Sequence, residues 1–209
     1  LNGMGKSSLL QALLLLRQSY LDGLLPATGL ELNGMLVELG TAQDVLYEDA
    51  PTDEFEIGMT WADNATASFI LEYHREADVL KIKHQSFDIE LFARVPFNDD
   101  FHYLKAERLG PRSANAVSDY QVRQHRQIGT AGEFTGHFLY LYGDKPVSDE
   151  RLCHSDNEPK ELKNQVQFWL HEISPGTKLH LAMHSEMDIV NLRYSFVTGK
   201  QTSNKYRST

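Results

Sequence analysis

Leu1-Asn2-Gly3-Met4-Gly5-Lys6-Ser7-Ser8, continued by Leu9-Leu10-Gln11-Ala12-Leu13-Leu14-Leu15-Leu16-Arg17-Gln18-Ser19-Tyr20, is the stretch on which the fold turns. Its first eight residues match the tail of the pattern G-x-x-x-x-G-K-[ST], whose first glycine would stand one position before Leu1. In such loops consecutive backbone N–H groups cup phosphate oxygens, the lysine reaches the outer phosphates and the hydroxyl binds magnesium. A chain that opens inside such a loop is expected to be a piece of a longer protein.

The residues after the loop are good helix formers with no Gly or Pro. They are apolar almost all round, which predicts a helix buried on both sides in an α/β layer. Free N–H groups and the positive dipole end make a helix N-terminus a natural anion site. The expected ATP-binding residues here are Asn2, Gly3, Met4, Gly5, Lys6, Ser7 and Ser8. Gly3 and Gly5 let the backbone turn and approach phosphate. Lys6, the catalytic candidate, spans the β- and γ-phosphates. Ser7 supplies a magnesium ligand, and Ser8 a hydroxyl near the α-phosphate. The bland alternative, a glycine turn capping an ordinary buried helix, explains the pattern less specifically.

The chain has 209 residues and a net charge of −9. That length suits one sizeable domain or two small ones. The acidic balance argues against a uniformly basic surface for coating nucleic acid, though not against a local basic patch. A single cysteine, Cys153, rules out an internal disulfide framework and fits a reducing cytosol, so a cytoplasmic location is expected. The apolar run Leu9–Leu16 is too short to span a bilayer and lacks the small-residue cleavage site of a signal peptide.

Beyond the helix, Asp22-Gly23, Pro26 and Gly29 mark a turn region. Leu30 to Gly40 reads as a hairpin about Asn33-Gly34. Thr41 to Tyr47 reads as a short helix or turn. Glu54–Trp61, Ala67–Tyr73 and Val79–Lys83 alternate as strands, with a fourth over Phe87–Leu91, which suggests an antiparallel meander. Phe101–Leu104 reads as a short strand, Ser113–Thr130 as an exposed loop with a helical turn, and Gly132–Leu141 as the start of a helix. Asp144–Glu158 reads as a surface linker. Pro159–Ile173 is an amphipathic helix with Leu162, Val166, Trp169 and Leu170 on one face, and strands over Lys178–Met183 and Ile189–Val197 close the chain. Trp61 and Trp169 are expected in the core.

The opening loop and helix resemble those of bacterial AAA-family ATPases with an ABC-type head, whose relatives include SMC-like and OLD-like proteins. Leu32-Asn33-Gly34-Met35-Leu36-Val37-Glu38-Leu39-Gly40, Glu107-Arg108-Leu109-Gly110-Pro111-Arg112 and Ile128-Gly129-Thr130-Ala131-Gly132-Glu133-Phe134 strengthen the resemblance. It implies a P-loop NTPase fold: an α/β N-terminal lobe with a mixed sheet and an antiparallel β subdomain. The lobe would divide into the loop and first helix (1–29), the β subdomain (30–95) and a mixed α/β part (96–209). ATP and magnesium are the implied cofactors. Two heads would sandwich ATP in a homodimer, coupled to DNA or to a nuclease or other effector, often in defence against phage. No membrane association is expected. No apolar strand ending in Asp-Glu and no signature motif occurs in the sequence, so this chain alone is not expected to turn over ATP at a useful rate.

Arg108 and Arg112 flank Gly110-Pro111 after the strand expected at Phe101–Leu104. In an open α/β sheet they would stand where ligands bind, able to reach phosphate or to signal to the second head. The competing reading is a surface turn with two solvated arginines. Gln121, Arg123, Gln124, His125, Arg126 and Gln127 form a partly basic cluster that could touch DNA phosphates, although a solvated loop suits the acidic total better. His180 and His184 alternate as on a strand, and Cys153-His154 has no companion cysteine, so the sequence argues against zinc. Glu133, after Gly132, reads as a cap or as a water-orienting carboxylate, with the cap favoured. Two other functions remain open. A nucleotide-dependent scaffold would recruit a partner without significant turnover. A small-molecule kinase would need lid arginines over the γ-phosphate, and the β-rich middle counts against it.

Overall fold

Apolar residues at every second position from Phe55 and from Ala67 can share one face only if both segments are extended. The computed structural model, which describes residues 5–110, 112, 114–155, 158–196 and 207–208, has both as strands. Asn2, Gly3 and Met4 therefore lie outside the described residues. The chain divides into two units, Leu1–Phe101 and His102–Thr209.

The first unit begins with α1 (Lys6–Leu21) and contains β1 (Gly29–Glu31), α2 (Ala42–Val45), β2 (Glu54–Thr60), β3 (Thr66–Glu72) and β4 (Val79–Ser86). The four strands form a sheet in the order β1-β4-β3-β2. Phe55, Ile57 and Met59 of β2 lie opposite Leu71, Phe69 and Ala67 of β3, so the register puts one apolar face together. Leu15 and Leu16 of α1 join that face with Leu30, Leu80 and Phe92 in one core.

Several expectations are corrected here. Every strand pairing among the described residues is antiparallel, so the mixed sheet does not form. Short turns join β2 to β3 and β3 to β4, whereas parallel neighbours need a crossover of a dozen residues or more. α1 is not buried on both sides: Leu9 is 70% and Leu10 41% exposed, and burial begins at Leu14. The chain does reverse between Leu32 and Leu39, but Gly34 N–H bonds to the carbonyl of Val37, which moves the turn to Met35-Leu36. Asn33 instead holds the loop base, its side chain accepting from Gly40 N–H at 2.9 Å and donating to the Gly40 carbonyl at 2.8 Å. Phe87–Leu91 is not a strand. Asp88 caps a 3₁₀ turn over Ile89–Ala93 by accepting from Glu90 N–H at 3.0 Å. That turn seats Phe92 against Tyr20, stacked at 5.0 Å.

The second unit has β5 (Asn115–Ala116), α3 (Thr135–Tyr142), α4 (Leu162–Ile173), β6 (Thr177–His184), β7 (Ile189–Phe196) and β8 (Arg207–Ser208). β6 runs the length of β7, while β5 pairs with Ile189 and Val190 of β7 and β8 with Arg193 and Tyr194. Phe101–Leu104 carries no strand. Tyr120–Gln124 is a π-helical turn that buries Val122, so the segment read as an exposed loop has a core residue at its centre. On α4 the most buried residue is Gln165, and Trp169 is 48% exposed, its indole N–H donating to the Leu152 carbonyl at 3.1 Å. Trp61 is half-buried against the core of the first unit. No helix among the described residues is long and apolar enough to cross a membrane.

Candidate functional site

Gly5 precedes α1 with φ 72°, the left-handed conformation that glycine adopts without steric cost, and a Cβ there would meet nothing within 4 Å. The first helical amide with a described acceptor is that of Leu9, which donates to the Gly5 carbonyl at 3.1 Å. Among the described residues the amides of Lys6, Ser7 and Ser8 have no acceptor, as expected for the first turn of a helix. Lys6, Ser7 and Ser8 are all exposed. The described part of the opening loop thus presents a cationic side chain and two hydroxyls to solvent at the start of a helix.

A cavity of about 480 Å³ runs along the flank of this helix. Ser8, Gln11, Ala12 and Leu15 form one wall, at the i, i+3, i+4, i+7 spacing of a single helical face. Phe55, Ile57, Leu71 and Leu80 of the sheet form the floor, and Glu38, Leu39, Asp44 and Val45 the opposite side. Asp44 is fixed there: its carboxylate accepts from the Thr41 backbone N–H and hydroxyl, each at 2.8 Å. These bonds, the backbone one foremost, hold its carboxyl below the usual carboxylate range. Gln11, Glu38 and Asp44 are site-lining residues that sequence reasoning missed. Only Gln11 had a visible signal, its helical spacing from Ser7 and Ser8.

One helical turn beyond Leu15, Gln18 is fully buried. Its Nε2 donates to the Glu31 carbonyl at 2.8 Å, and its Oε1 accepts from the amides of Leu36 and Val37 at 3.2 and 3.0 Å. Ser19 adds a bond from Glu31 N–H at 2.8 Å. The opening helix and the segment Leu32–Gly40, paired above by resemblance alone, are therefore in direct contact.

The other two segments also meet, in the second unit. Lys105 N–H donates to the Thr130 carbonyl at 2.8 Å, and Leu109 N–H to the Ala131 carbonyl at 3.2 Å. Glu133 accepts from Ala131 N–H at 2.9 Å, so its carboxylate closes the turn as a local cap. Gly129, with φ 83°, lies so close to that carboxylate that a Cβ would approach it to 2.2 Å. Arg108 and Arg112 are exposed in this unit, and no strand precedes them.

The basic cluster is largely committed inside the protein. Arg123 pairs with Asp119 at 3.0 Å, and Arg126 lies over the Tyr142 ring at 4.8 Å. His180 and His184 lie on the exposed face of β6, bonded to Ser195 and Asn191. No group of three or more metal-ligating side chains occurs among the described residues. No family model matches the chain, and no curated protein or solved structure shows significant similarity to it.

Proposed function

We propose that the chain is the nucleotide-binding N-terminal lobe of an ABC-type ATPase head, with a P-loop NTPase fold and Mg-ATP held at residues 2–8. The observation that carries this reading is the start of α1, where a left-handed Gly5 leads into the exposed Lys6, Ser7 and Ser8. The cavity beside Ser8 and Gln11 gives room for the rest of a nucleotide and falls in the size range of small-molecule sites.

In this reading the Lys6 ammonium offsets charge on the transferring phosphoryl group, the Ser7 hydroxyl holds magnesium, and the loop amides orient the phosphates. Magnesium, when bound, would supply charge neutralisation between phosphate oxygens. The chain binds and orients, while the carboxylate and signature contributions to turnover come from elsewhere in the intact protein. There, two heads would close on ATP as a homodimer and switch a DNA-directed complex or an effector such as a nuclease, with Arg108 and Arg112 relaying closure.

Binding of a fluorescent ATP analogue with magnesium tests the reading. Lys6→Ala is expected to weaken binding at least tenfold, about 1.4 kcal/mol, with unfolding unchanged because Lys6 is exposed. Equal affinity in the two proteins would remove the nucleotide reading.

A further inference from the structure

The second unit contains a cavity of about 410 Å³ that plays no part in the reading above. At its base is His137 of α3, whose side chain is 1% exposed. His137 Nδ1 accepts the Ser118 N–H at 3.2 Å. A neutral imidazole has one donor and one acceptor nitrogen, so the proton is on Nε2. That N–H lies 3.7 Å from Oδ1 of Asp119, beyond direct hydrogen-bond reach. Burial pushes the imidazole below its ordinary range, offset in part by the Asp119 carboxylate, which keeps it a neutral donor.

This geometry selects among ligands. A metal on Nε2 would need the proton on Nδ1, where it would face the Ser118 N–H. A carboxylate or phosphate oxygen could accept from Nε2 but would confront Asp119 and Asp188, which line the cavity together with one cation, Arg123, itself paired with Asp119. An ammonium group could satisfy Asp119 but cannot accept from Nε2. A hydroxyl does both, accepting from His137 and donating to Asp119, which Arg123 holds in place at 3.0 Å. Water does so too, but it takes only about 30 Å³, and the remaining walls are Val117, Leu141, Met183 and Tyr140. Walls that mix polar groups with apolar surface suit a ring that carries both C–H faces and hydroxyls.

We propose that this cavity binds a sugar ring, one hydroxyl of which bridges His137 Nε2–H and the Asp119 carboxylate. The same chemistry is offered by a free sugar and by the ribose of a nucleoside. The site is independent of residues 2–8.

The test follows the His137 ring resonances by nitrogen–proton NMR in the full chain, during titration with D-ribose, adenosine and 2′,3′-dideoxyadenosine. A saturable shift with D-ribose, adenosine or both is expected, at concentrations on the order of 1 mM, and whichever shifts it identifies the source. The dideoxy compound, which has the base but no diol, should bind at least tenfold more weakly. Asp119→Ala, at an exposed position, should lose the shift while the protein stays folded, and Lys6→Ala should keep it. No shift with either hydroxylated probe, equal binding of the dideoxy compound, or an unaltered titration in Asp119→Ala would overturn the proposal.

Discussion

At Gly29 a missing side chain decides how closely two strands can lie. A Cβ there would stand 2.2 Å from the Leu80 carbonyl oxygen, and that oxygen belongs to backbone already paired with β1. Gly29→Ala must push the strands apart, and thermal unfolding should show a loss of about 1–3 kcal/mol. Arg17, Gln18 and Ser19 teach a different lesson. As letters they look like the solvated end of an apolar helix, yet all three are buried. Arg17 Nη1 donates to the Phe97 carbonyl, and Gln18 and Ser19 serve the backbone of β1 and the following loop. Polarity forecasts exposure only where no neighbouring backbone needs a partner, and those partners lie on segments that the local sequence does not reveal.

Among elements, the strands were legible because alternation survives in the letters: Phe55-x-Ile57-x-Met59 and Ala67-x-Phe69-x-Leu71 appear as written. The 3₁₀ turn after β4 was not, because a single capping aspartate outweighs a short apolar run. The fit of α4 was misread for a reason tied to β6. Gln167 donates to the Thr177 carbonyl and accepts from Leu179 N–H at 2.6 Å, so one side-chain amide satisfies the strand edge. A helix face judged by hydrophobicity alone overlooks such positions. Gln167→Leu keeps the bulk and removes both bonds. It is expected to cost about 1–3 kcal/mol in denaturant unfolding and to speed hydrogen exchange at Leu179. Normal protection there would show that the edge finds other partners.

For the whole molecule, two histidines of the second unit set opposing pH limits. His154 bonds Glu158 at 2.8 Å and Glu172 at 3.0 Å, and these bonds, Glu172 foremost, raise it above its ordinary value of 6.5. Its contribution is complete below 6.5 and is lost as pH rises through the raised folded value. His137 is lowered from 6.5, chiefly by burial, so its contribution is complete above that value and is lost as pH falls through the lowered one. Together they favour a stability maximum near pH 6.5. Urea unfolding across about pH 5–8 should show His154→Gln flattening the alkaline limb and His137→Phe the acid one. Parallel curves for all three proteins would assign the pH dependence to other groups. The opening loop was the part of the candidate site legible in the sequence. The cavity beside it was not, because its floor and far wall come from strands and from residues 38–45, which only the folded sheet brings to α1.

The Gln18 amide ties α1 to β1 and to the 34–37 turn, one helical turn beyond the cavity-lining Leu15. The two long walls are joined there like covers at a spine, while at the Ser8 end the helix stands in solvent. With residues 14–19 of α1 buried and Ser8 exposed, any widening is expected to be a swing of the helix start, so the entrance for a guest and the part of the wall that yields to it would coincide.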